Sequence, residues 1–218
     1  MNNSQVNVTH NQKKKCNVIA LILGAGTSSR MGRTKQLLEY KGYFLLEYVI
    51  RRTLSFKFTR VINVVGHEAE KIQSLIQIDD TRFQWVVNPN YQKGQSSSLL
   101  KGIKMIGNSE PSVMVFLGDQ PLISENTIQL VFQRGIEQYS VTPNQPFVMQ
   151  PTYQGFPGHP VFFGNIHMIN FTGLKGDQGA KKIIRNLKIW SKTPVDDPGI
   201  LFDIDTPEEY EQAKNFQY

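Results

Sequence analysis

The chain has 218 residues, 39% of them hydrophobic and 19% charged, which suits a globular protein with one substantial core. Its formal net charge is +6, but residues 13–15 are all lysine. Subtracting their three charges leaves +3, which is too little to indicate nucleic-acid binding. Cys16 is the only cysteine, so an internal disulfide is excluded and a reducing compartment is favoured.

The amino-terminal segment differs in composition from the rest of the chain. Residues 1–15 are rich in Asn, Gln and Lys and have little to bury, which predicts a disordered basic tail before a single domain over 16–218. The apolar run at 18–23 is ended by Gly24 too early for a secretion signal or a membrane span. We therefore expect a cytoplasmic protein that binds neither membrane nor nucleic acid.

Short β-branched runs alternate with helical patterns along the remaining sequence. Strands are predicted at 18–23, 60–65, 83–87, 113–117, 147–150 and 161–163. Helices are predicted at 45–54, 69–76, 97–105, 125–138 and 178–186. Strands that alternate with crossover helices predict a three-layer α/β/α fold with a mainly parallel, Rossmann-like sheet. In such folds ligands bind at the carboxyl ends of the strands.

A glycine-rich turn follows the first predicted strand. Its residues are Leu23, Gly24, Ala25 and Gly26. Glycines let the backbone approach a ligand closely and present N–H groups to phosphate oxygens. Arg30 and Lys35 then add positive charge. The spacing matches neither the P-loop nor the G-x-G-x-x-G pattern.

This stretch resembles the first nucleotide-binding loop of the MobA-like nucleotidyltransferases, a family that acts on the molybdenum cofactor. The matching residues are Gly24, Gly26, Arg30, Met31, Gly32 and Lys35. The resemblance covers roughly residues 17–213 and implies a GT-A-type nucleotidyltransferase that uses Mg²⁺. It implies catalytic roles for Lys35 at the α-phosphate, Arg30 at the β- and γ-phosphates and Asp119 at the metal.

A second segment resembles the family's other nucleotide-binding loop. Its candidate nucleotide-binding residues are Asn88, Gly94, Ser96, Ser97 and Ser98. The serines can hydrogen-bond a base edge, and serine at this place also caps helices. Serines before a leucine are typical of the branch that uses CTP, whereas the first loop follows neither the CTP nor the GTP pattern. CTP is therefore favoured over GTP.

Three aspartates are candidate metal ligands. Asp119 follows an apolar strand, and Mg²⁺ prefers one or two carboxylates with phosphate oxygens, although an Asp at a strand end can also cap a turn. Asp203 and Asp205 alternate onto one face of an expected extended strand, where two like charges are costly unless a cation neutralises them. Thr206 and Glu209 have the spacing of a capping box, which predicts a helix start.

Two further elements resemble the acceptor side of the molybdopterin cytidylyltransferase branch. The first is Gly158, His159 and Pro160, in which His159 could donate a hydrogen bond to an acceptor phosphate or pterin. A histidine beside Gly and Pro can equally be a turn residue. The second surrounds Asp177, which either opens a helix facing an anion or is a simple N-cap.

The resemblance implies transfer of CMP from CTP to molybdopterin, with pyrophosphate released, in the maturation of a xanthine dehydrogenase-type enzyme. It also implies a transient contact with that enzyme or its chaperone. Two alternatives stay open: a sugar or polyol phosphate as acceptor, and a non-catalytic accessory protein that binds nucleotide or cofactor. A dinucleotide-dependent reductase is disfavoured because G-x-G-x-x-G is absent.

Overall fold

The computed structural model describes residues 17–107 and 111–216, so the predicted tail at 1–15 lies outside the described residues. The strands are β1 Val18–Leu23, β2 Glu39–Tyr40, β3 Tyr43–Phe44, β4 Arg60–Val65, β5 Phe83–Val87, β6 Ser112–Leu117, β7 Phe147–Tyr153, β8 Phe156–Pro157, β9 Val161–Gly164 and β10 Ile189–Pro194. The helices are α1 Leu45–Leu54, α2 Ala69–Leu75, α3 Gln95–Ile106, α4 Glu125–Val141, α5 Lys181–Asn186 and α6 Pro207–Asn215. None of the described helices is long and apolar enough to cross a membrane.

One mixed, mainly parallel sheet forms the centre of the molecule. Its strand order is β10-β7-β9-β6-β1-β4-β5, with β8 paired to β7 and with β2 and β3 in a separate hairpin. β9 runs antiparallel to both of its neighbours, whereas the other six strands of that order share one direction. Their carboxyl ends therefore lie along the same edge, where the sequence predicts the ligand site.

Helices cover both faces of the sheet, and the side chains of β1 alternate between the two faces. Val18, Ala20 and Ile22 pack in the cluster that contains the apolar faces of α1, α2 and α4. Ile19 and Leu21 point to the opposite face, which is covered by α3 and α5. A strand buried on both sides reads as a continuous apolar run. The predicted three-layer α/β/α fold is confirmed.

Two predicted elements differ in the structure. The helix expected at 178–186 is divided into a 3₁₀ turn, Gly176–Gln178, and α5, with Gly179 between them at a φ of 52°. The segment carrying Asp203 and Asp205, expected as a strand, belongs to no described strand. The Ile204 N–H donates to the Asp119 carbonyl at 3.0 Å, so a single backbone hydrogen bond fixes this segment beside the end of β6.

The last helix begins at the predicted capping box. Thr206 Oγ1 accepts from the Glu209 N–H at 3.2 Å, and Glu209 Oε2 accepts from the Thr206 N–H at 2.8 Å. The Tyr210 hydroxyl of α6 then donates to the Glu39 carbonyl of β2 at 2.6 Å. The carboxyl-terminal segment is thus attached to the hairpin that follows the first loop.

Candidate active site

A cleft of about 300 Å³ opens at the carboxyl ends of β1 and β6. Of the predicted site residues it is lined by Leu23, Gly24, Ala25, Gly26, Lys35, Gly94, Ser98, Asp119 and Asp177. An adjoining hollow is lined by Arg30, Asp203 and Asp205 together with Lys35 and Asp119. The structure therefore brings both predicted nucleotide loops and all three predicted metal ligands to one place.

The first loop is held in shape by a buried amide. Gln36 Nε2 donates to the carbonyls of Gly24 at 3.0 Å and Gly26 at 2.9 Å, and its Oε1 accepts from Ser28 Oγ at 3.1 Å. In a planar trans peptide the carbonyl and the following N–H point in opposite directions. The N–H groups of Ala25 and Thr27 therefore point away from Gln36, and both residues line the cleft.

The ammonium group of Lys35 lies between two carboxylates that are distant in the sequence. Its Nζ donates to Asp119 Oδ2 at 2.5 Å and to Asp205 Oδ1 at 2.7 Å. Arg30 donates to the other oxygen of Asp205. The Lys35 side chain is 9% exposed and that of Arg30 is 68% exposed, so the two cations of this loop differ in how strongly solvent screens them.

Burial and charge shift the pKa values of this cluster. Burial lowers the pKa of Lys35, but Asp119 and Asp205 outweigh it and leave the pKa raised. Burial raises the pKa of Asp205, but Lys35 and Arg30 outweigh it and leave the pKa lowered. Lys35 and Asp205 are therefore an ionised pair. Burial, followed by the charge of Asp119, raises the pKa of Asp203 from 3.8 to about 6.

Two of the carboxylates suit a divalent cation. Asp119 Oδ1 is buried and has no hydrogen-bond partner among the described residues, whereas its Oδ2 is taken by Lys35. Asp203 is close enough for the charge of Asp119 to raise its pKa, and its Oδ1 accepts from Gln120 Nε2 at 2.8 Å. Mg²⁺ is typically held by one or two carboxylates and by phosphate oxygens. Asp119 and Asp203 fit that pattern.

Asp205 has a different role in this structure. Both of its carboxylate oxygens bind cations of the first loop. Within residues 17–107 and 111–216, no group of three or more His, Cys, Asp or Glu side chains is arranged to hold a metal ion. Beside Asp119, the sequence left open whether Asp203 or Asp205 binds the metal. Because Asp205 pairs with Lys35 and Arg30, Asp203 is retained as the predicted second ligand.

The serines of the second loop lie deeper than the sequence suggested. The N-cap of α3 is Gly94, so all three serines stand inside the first turn of the helix and the expected capping role is wrong. Ser97 Oγ donates to the Gly94 carbonyl at 2.8 Å, and Ser96 is buried. Ser98 is the one of the three that lines the cleft. A base contact is therefore retained as a prediction for Ser98.

Asn88 organises this loop from behind the cleft wall. Its Nδ2 donates to Ser97 Oγ at 2.9 Å and to Ser98 Oγ at 3.0 Å, and its Oδ1 accepts from the Asn90 N–H at 3.0 Å. The side chain is buried and its donors are used within the protein. Asn88 therefore holds the second loop in shape through these hydrogen bonds, in place of the direct nucleotide contact that was expected.

The start of α3 packs against the segment that was expected on the acceptor side. Asp177 Oδ1 accepts from the Gln95 N–H at 3.2 Å, and Ser96 Oγ donates to the Gly179 carbonyl at 3.3 Å. Gly94 has a φ of 90°, and a Cβ there would lie 2.6 Å from Asp177 Oδ1. Asp177 therefore caps α3 and not the helix that follows it, which corrects the expected N-cap.

The other predicted acceptor element, residues 158–160, has two buried residues and one that lines a cavity. The Gly158 N–H donates to the Pro151 carbonyl at 3.0 Å, and both Gly158 and Pro160 are buried. His159 lines a second, apolar cavity next to the nucleotide cleft. Burial, followed by the charge of Lys181, lowers the pKa of His159 to about 4, so its imidazole is neutral at pH 7.

Several residues of the site were not predicted, among them three glutamines and a tyrosine. Gln36, Tyr91 and Gln95 line the cleft, and Gln120 bonds Asp203. Gln36 directly follows Lys35 of the first-loop signature, and Gln120 directly follows Asp119, so position in the sequence was the available signal. Glutamine and tyrosine carry no charge at neutral pH, and their residue type alone does not indicate a site.

A glycine-rich loop after β1, a buried Lys–Asp pair at the sheet's carboxyl edge and a mainly parallel α/β/α fold define a nucleotidyltransferase. The sequence matches the MobA-like NTP transferase domain over residues 20–192, and the chain belongs to that family. It is 26% identical over 205 residues to purine catabolism protein PucB of Bacillus subtilis (strain 168), with 90% of this chain and 96% of that protein covered.

A second relative agrees with this assignment, and two solved structures of one further protein share the fold. Molybdenum cofactor cytidylyltransferase of Escherichia coli (strain K12) is 24% identical over 196 residues, which cover 89% of this chain and 94% of that protein. Rv0371c of Mycobacterium tuberculosis H37Rv has the same fold, with a TM-score of 0.78 at 22% identity and coverage of 92% and 99%. Its manganese complex gives a TM-score of 0.72 at 21% identity, with coverage of 92% and 100%.

Replacement of Gln36 by glutamate tests whether this amide shapes the first loop. The carboxylate cannot donate to the Gly24 and Gly26 carbonyls, so two buried acceptors lose their partner. We expect Gln36→Glu to lose roughly 2 kcal/mol or more of unfolding free energy and to raise KM for the NTP at least about tenfold. The matched control is Gln129→Glu on the exposed face of α4. Equal behaviour of the two variants in urea unfolding and kinetics would refute this role.

The raised pKa of Asp203 predicts a pH-dependent cost to stability. Because the pKa is 3.8 unfolded and about 6 folded, the contribution of Asp203 is complete below pH 3.8 and is lost as the pH rises through about 6. Asp203→Asn should therefore stabilise the metal-free protein at pH 7.5 by about 1–3 kcal/mol, and progressively less towards pH 4. Urea unfolding in a chelator measures this, with the exposed Asp196→Asn as control. A gain that does not vary with pH contradicts the assignment.

Proposed function

We propose that this nucleotidyltransferase transfers CMP from CTP to the phosphate of molybdopterin and releases pyrophosphate. The observation that carries the proposal is the buried Lys35–Asp119 pair, which lines the same cleft as the glycine-rich loop. The product would serve a cytoplasmic xanthine dehydrogenase-type enzyme, reached through a transient contact with that enzyme or its chaperone. The name of the E. coli relative supports this branch of the family.

The reaction is a single in-line displacement. A phosphate oxygen of the acceptor attacks the α-phosphorus of CTP, and the bond from that phosphorus to the bridging oxygen of the β-phosphate breaks. Pyrophosphate leaves with the electron pair of that bond. No side chain of the protein becomes covalently attached, so catalysis consists of positioning and charge neutralisation.

Lys35 would act on the α-phosphate. A lysine ammonium has three donors, and two of them are used by Asp119 and Asp205. The third is available to a phosphate oxygen in the same cleft. Because Lys35 is buried, its charge is weakly screened, and its interaction with developing negative charge is correspondingly strong.

Asp119 and Asp203 would hold a divalent cation, for which we propose Mg²⁺. Bound there, Mg²⁺ supplies positive charge to the phosphate oxygens of CTP. Asp119 can serve both neighbours because Oδ2 binds Lys35 and Oδ1 is unpaired among the described residues. Gln120 keeps the Asp203 carboxylate in place through its 2.8 Å hydrogen bond.

The choice of CTP rests on the second loop. Ser96, Ser97 and Ser98 precede Leu99, as is typical of the family's CTP users, and Ser98 lines the cleft. The acceptor is supported by the segments around His159 and Asp177, which lie beside the same cleft. These segments favour molybdopterin over a sugar or polyol phosphate.

The direct test supplies purified protein with each NTP, Mg²⁺ and molybdopterin, and identifies the product by mass. We expect the cytosine dinucleotide and one pyrophosphate per product. Asp119→Asn should keep the fold and lose most activity, because the amide has nearly the same shape but no charge for the metal. A guanine dinucleotide as main product would refute the choice of CTP, and wild-type turnover of Asp119→Asn would refute the metal site.

The two cations of the first loop should differ in kinetic effect. Lys35→Ala should lower kcat by roughly two orders of magnitude or more, because its charge stabilises the transition state more than the bound nucleotide. Arg30→Ala should mainly raise KM for CTP, since contacts to the β- and γ-phosphates exist before and during reaction.

Arg33→Ala is the control for charge alone. Arg33 belongs to the same loop but lies near the Tyr210 ring, with Cζ 5.8 Å from the centroid, and it does not line the cleft. Steady-state kinetics with saturating acceptor should leave this variant close to wild type. If Lys35→Ala changes only KM and Arg30→Ala only kcat, the triphosphate lies along the loop in the opposite direction.

A further inference from the structure

The three residues between β4 and α2 contact both nucleotide loops. His67 packs against Tyr91 of the second loop, with ring centroids 6.0 Å apart, and a Cβ on Gly66 would lie 2.4 Å from the Tyr91 Cβ. Glu68 reaches the first loop, where one of its carboxylate oxygens accepts from the Thr34 hydroxyl. None of these three residues lines the nucleotide cleft or the adjoining hollow. Their effect on the reaction therefore passes through the residues that they contact.

Glu68 has a backbone conformation that its residue type does not favour. Its φ of 49° and ψ of 34° are left-handed, and a residue with a Cβ meets steric strain there that glycine avoids. Glu68 is also the N-cap of α2, but its side chain makes no capping hydrogen bond to that helix. Strained backbone persists where the surrounding structure requires it, and it is common near active sites. Local structure therefore does not explain a glutamate at this position.

The Glu68 carboxylate connects α2 to the residue that precedes Lys35. Its Oε2 accepts from the Thr34 hydroxyl, and its Oε1 accepts from Lys71 Nζ at 3.1 Å. The Lys71 side chain is 55% exposed, so solvent screens that ion pair and it contributes little. The Thr34 contact instead joins parts of the chain that are 34 residues apart. Asparagine tolerates the left-handed region better, but its side chain is one methylene shorter than the one that reaches Thr34.

Thr34 transmits this contact to Lys35. Thr34 is the N-cap of the 3₁₀ turn Lys35–Leu37, and its hydroxyl makes no capping hydrogen bond within that turn. Its carbonyl accepts from the Leu37 N–H at 3.0 Å, so a displacement of Thr34 displaces the turn. The turn carries the Lys35 ammonium to its two carboxylate partners. The position of that ammonium group therefore depends on the Glu68 carboxylate.

We propose that Glu68 is a positioning residue for the transfer, which holds through Thr34 the turn that places the Lys35 ammonium. The inference rests on the proposed function, because it takes Lys35 to act on the reacting phosphate. Glu68 itself lies outside the cleft and touches neither substrate nor metal. The strained conformation of Glu68 brings its carboxylate within reach of the first loop.

Steady-state kinetics on paired variants test the contact. Glu68→Ala should lower kcat roughly 10- to 100-fold and leave KM for CTP unchanged, because a small misplacement of a catalytic group is that costly. Thr34→Val keeps the side-chain shape but lacks the hydroxyl, so it should show the same loss, and the double variant should lose no more. Glu68→Gln should retain most of the wild-type kcat, because its amide oxygen still accepts from Thr34. Glu70→Ala removes an exposed carboxylate from the first turn of α2 and is the control.

Two comparisons separate positioning from a loss of stability. Glycine relieves the left-handed strain, so Glu68→Gly should unfold at a higher urea concentration than Glu68→Ala, whereas both should show the same lowered kcat. In a Lys35→Ala background, Glu68→Ala should lower kcat no further, because the group that it positions is gone. A purely structural role would instead make activity follow stability and would add its loss to that of Lys35→Ala.

Hydrogen exchange tests the contact without any transfer reaction. The Lys35 N–H donates to Ser28 Oγ at 3.0 Å, and the Leu38 N–H donates to the Lys35 carbonyl at 3.1 Å. In the nucleotide-free protein, Glu68→Ala should speed exchange at these two amides at least about fivefold, the scale of one lost hydrogen bond. Exchange in β6, on the other side of β1, should stay at the wild-type rate.

Several results would overturn the inference and leave nucleotidyl transfer intact. These are a wild-type kcat in Glu68→Ala, a loss that Thr34→Val does not share, a full further loss in the Lys35→Ala background, or unchanged exchange at the Lys35 turn. Conversely, a wild-type protein that releases no pyrophosphate from any NTP would contradict the proposed function. Faster exchange in Glu68→Ala would then still support the contact between Glu68 and the turn.

Discussion

The site depends on one interaction, the contact of Lys35 with Asp119 and Asp205. The partners are 84 and 170 residues away from Lys35 in the sequence, so a single ammonium group connects the first loop, the end of β6 and the segment before α6. A lysine this deeply buried is costly to keep charged unless carboxylates surround it. Without the lysine, Asp119 would lose the hydrogen-bond donor to its Oδ2, whereas Asp205 would keep Arg30. Lys35 and Asp205 therefore hold each other in the ionised state.

The surrounding fold supplies the rigidity that this cluster requires. Gln36 fixes the carbonyls of the first loop, the Ile204 N–H ties the Asp203–Asp205 segment to the Asp119 carbonyl, and Tyr210 attaches α6 to β2. Side chains supported in this way keep their geometry when a ligand arrives. Catalysis by placed charges needs that property more than it needs a reactive nucleophile.

The sequence predicted the fold well where burial dictates the pattern. β1 and β4 are largely apolar runs buried in the sheet, and β5 is a partly buried edge strand of mostly aromatic and β-branched residues. The predicted bounds of all three match those of the structure. β10 was not predicted because this edge strand reads Ile-Trp-Ser-Lys-Thr-Pro, which lacks a continuous apolar run. The hairpin of β2 and β3 has strands of two residues, too short for any periodicity to show.

The sequence predicted which residues belong to the site better than it predicted how those residues contact one another. Signature residues such as Lys35 and Asp119 are chemically distinctive and stand next to strand ends, so their convergence follows from the topology. The contacts between these side chains do not follow from the topology. That Asp205 binds two cations, or that Asp177 caps α3 from 82 residues away, depends on how loops pack. The apolar cavity at His159 has the same origin, since its walls come from separate elements.

In the proposed mechanism, placed charges carry out the transfer and no covalent intermediate forms. The most direct measurement uses CTP made chiral at the α-phosphorus with sulfur and an oxygen isotope, and determines the configuration of the dinucleotide product. A single in-line displacement inverts the configuration at that phosphorus, so we expect inversion. Retention would show two successive displacements through a nucleotide bound covalently to the protein, and it would contradict the role assigned to Lys35 and Asp119.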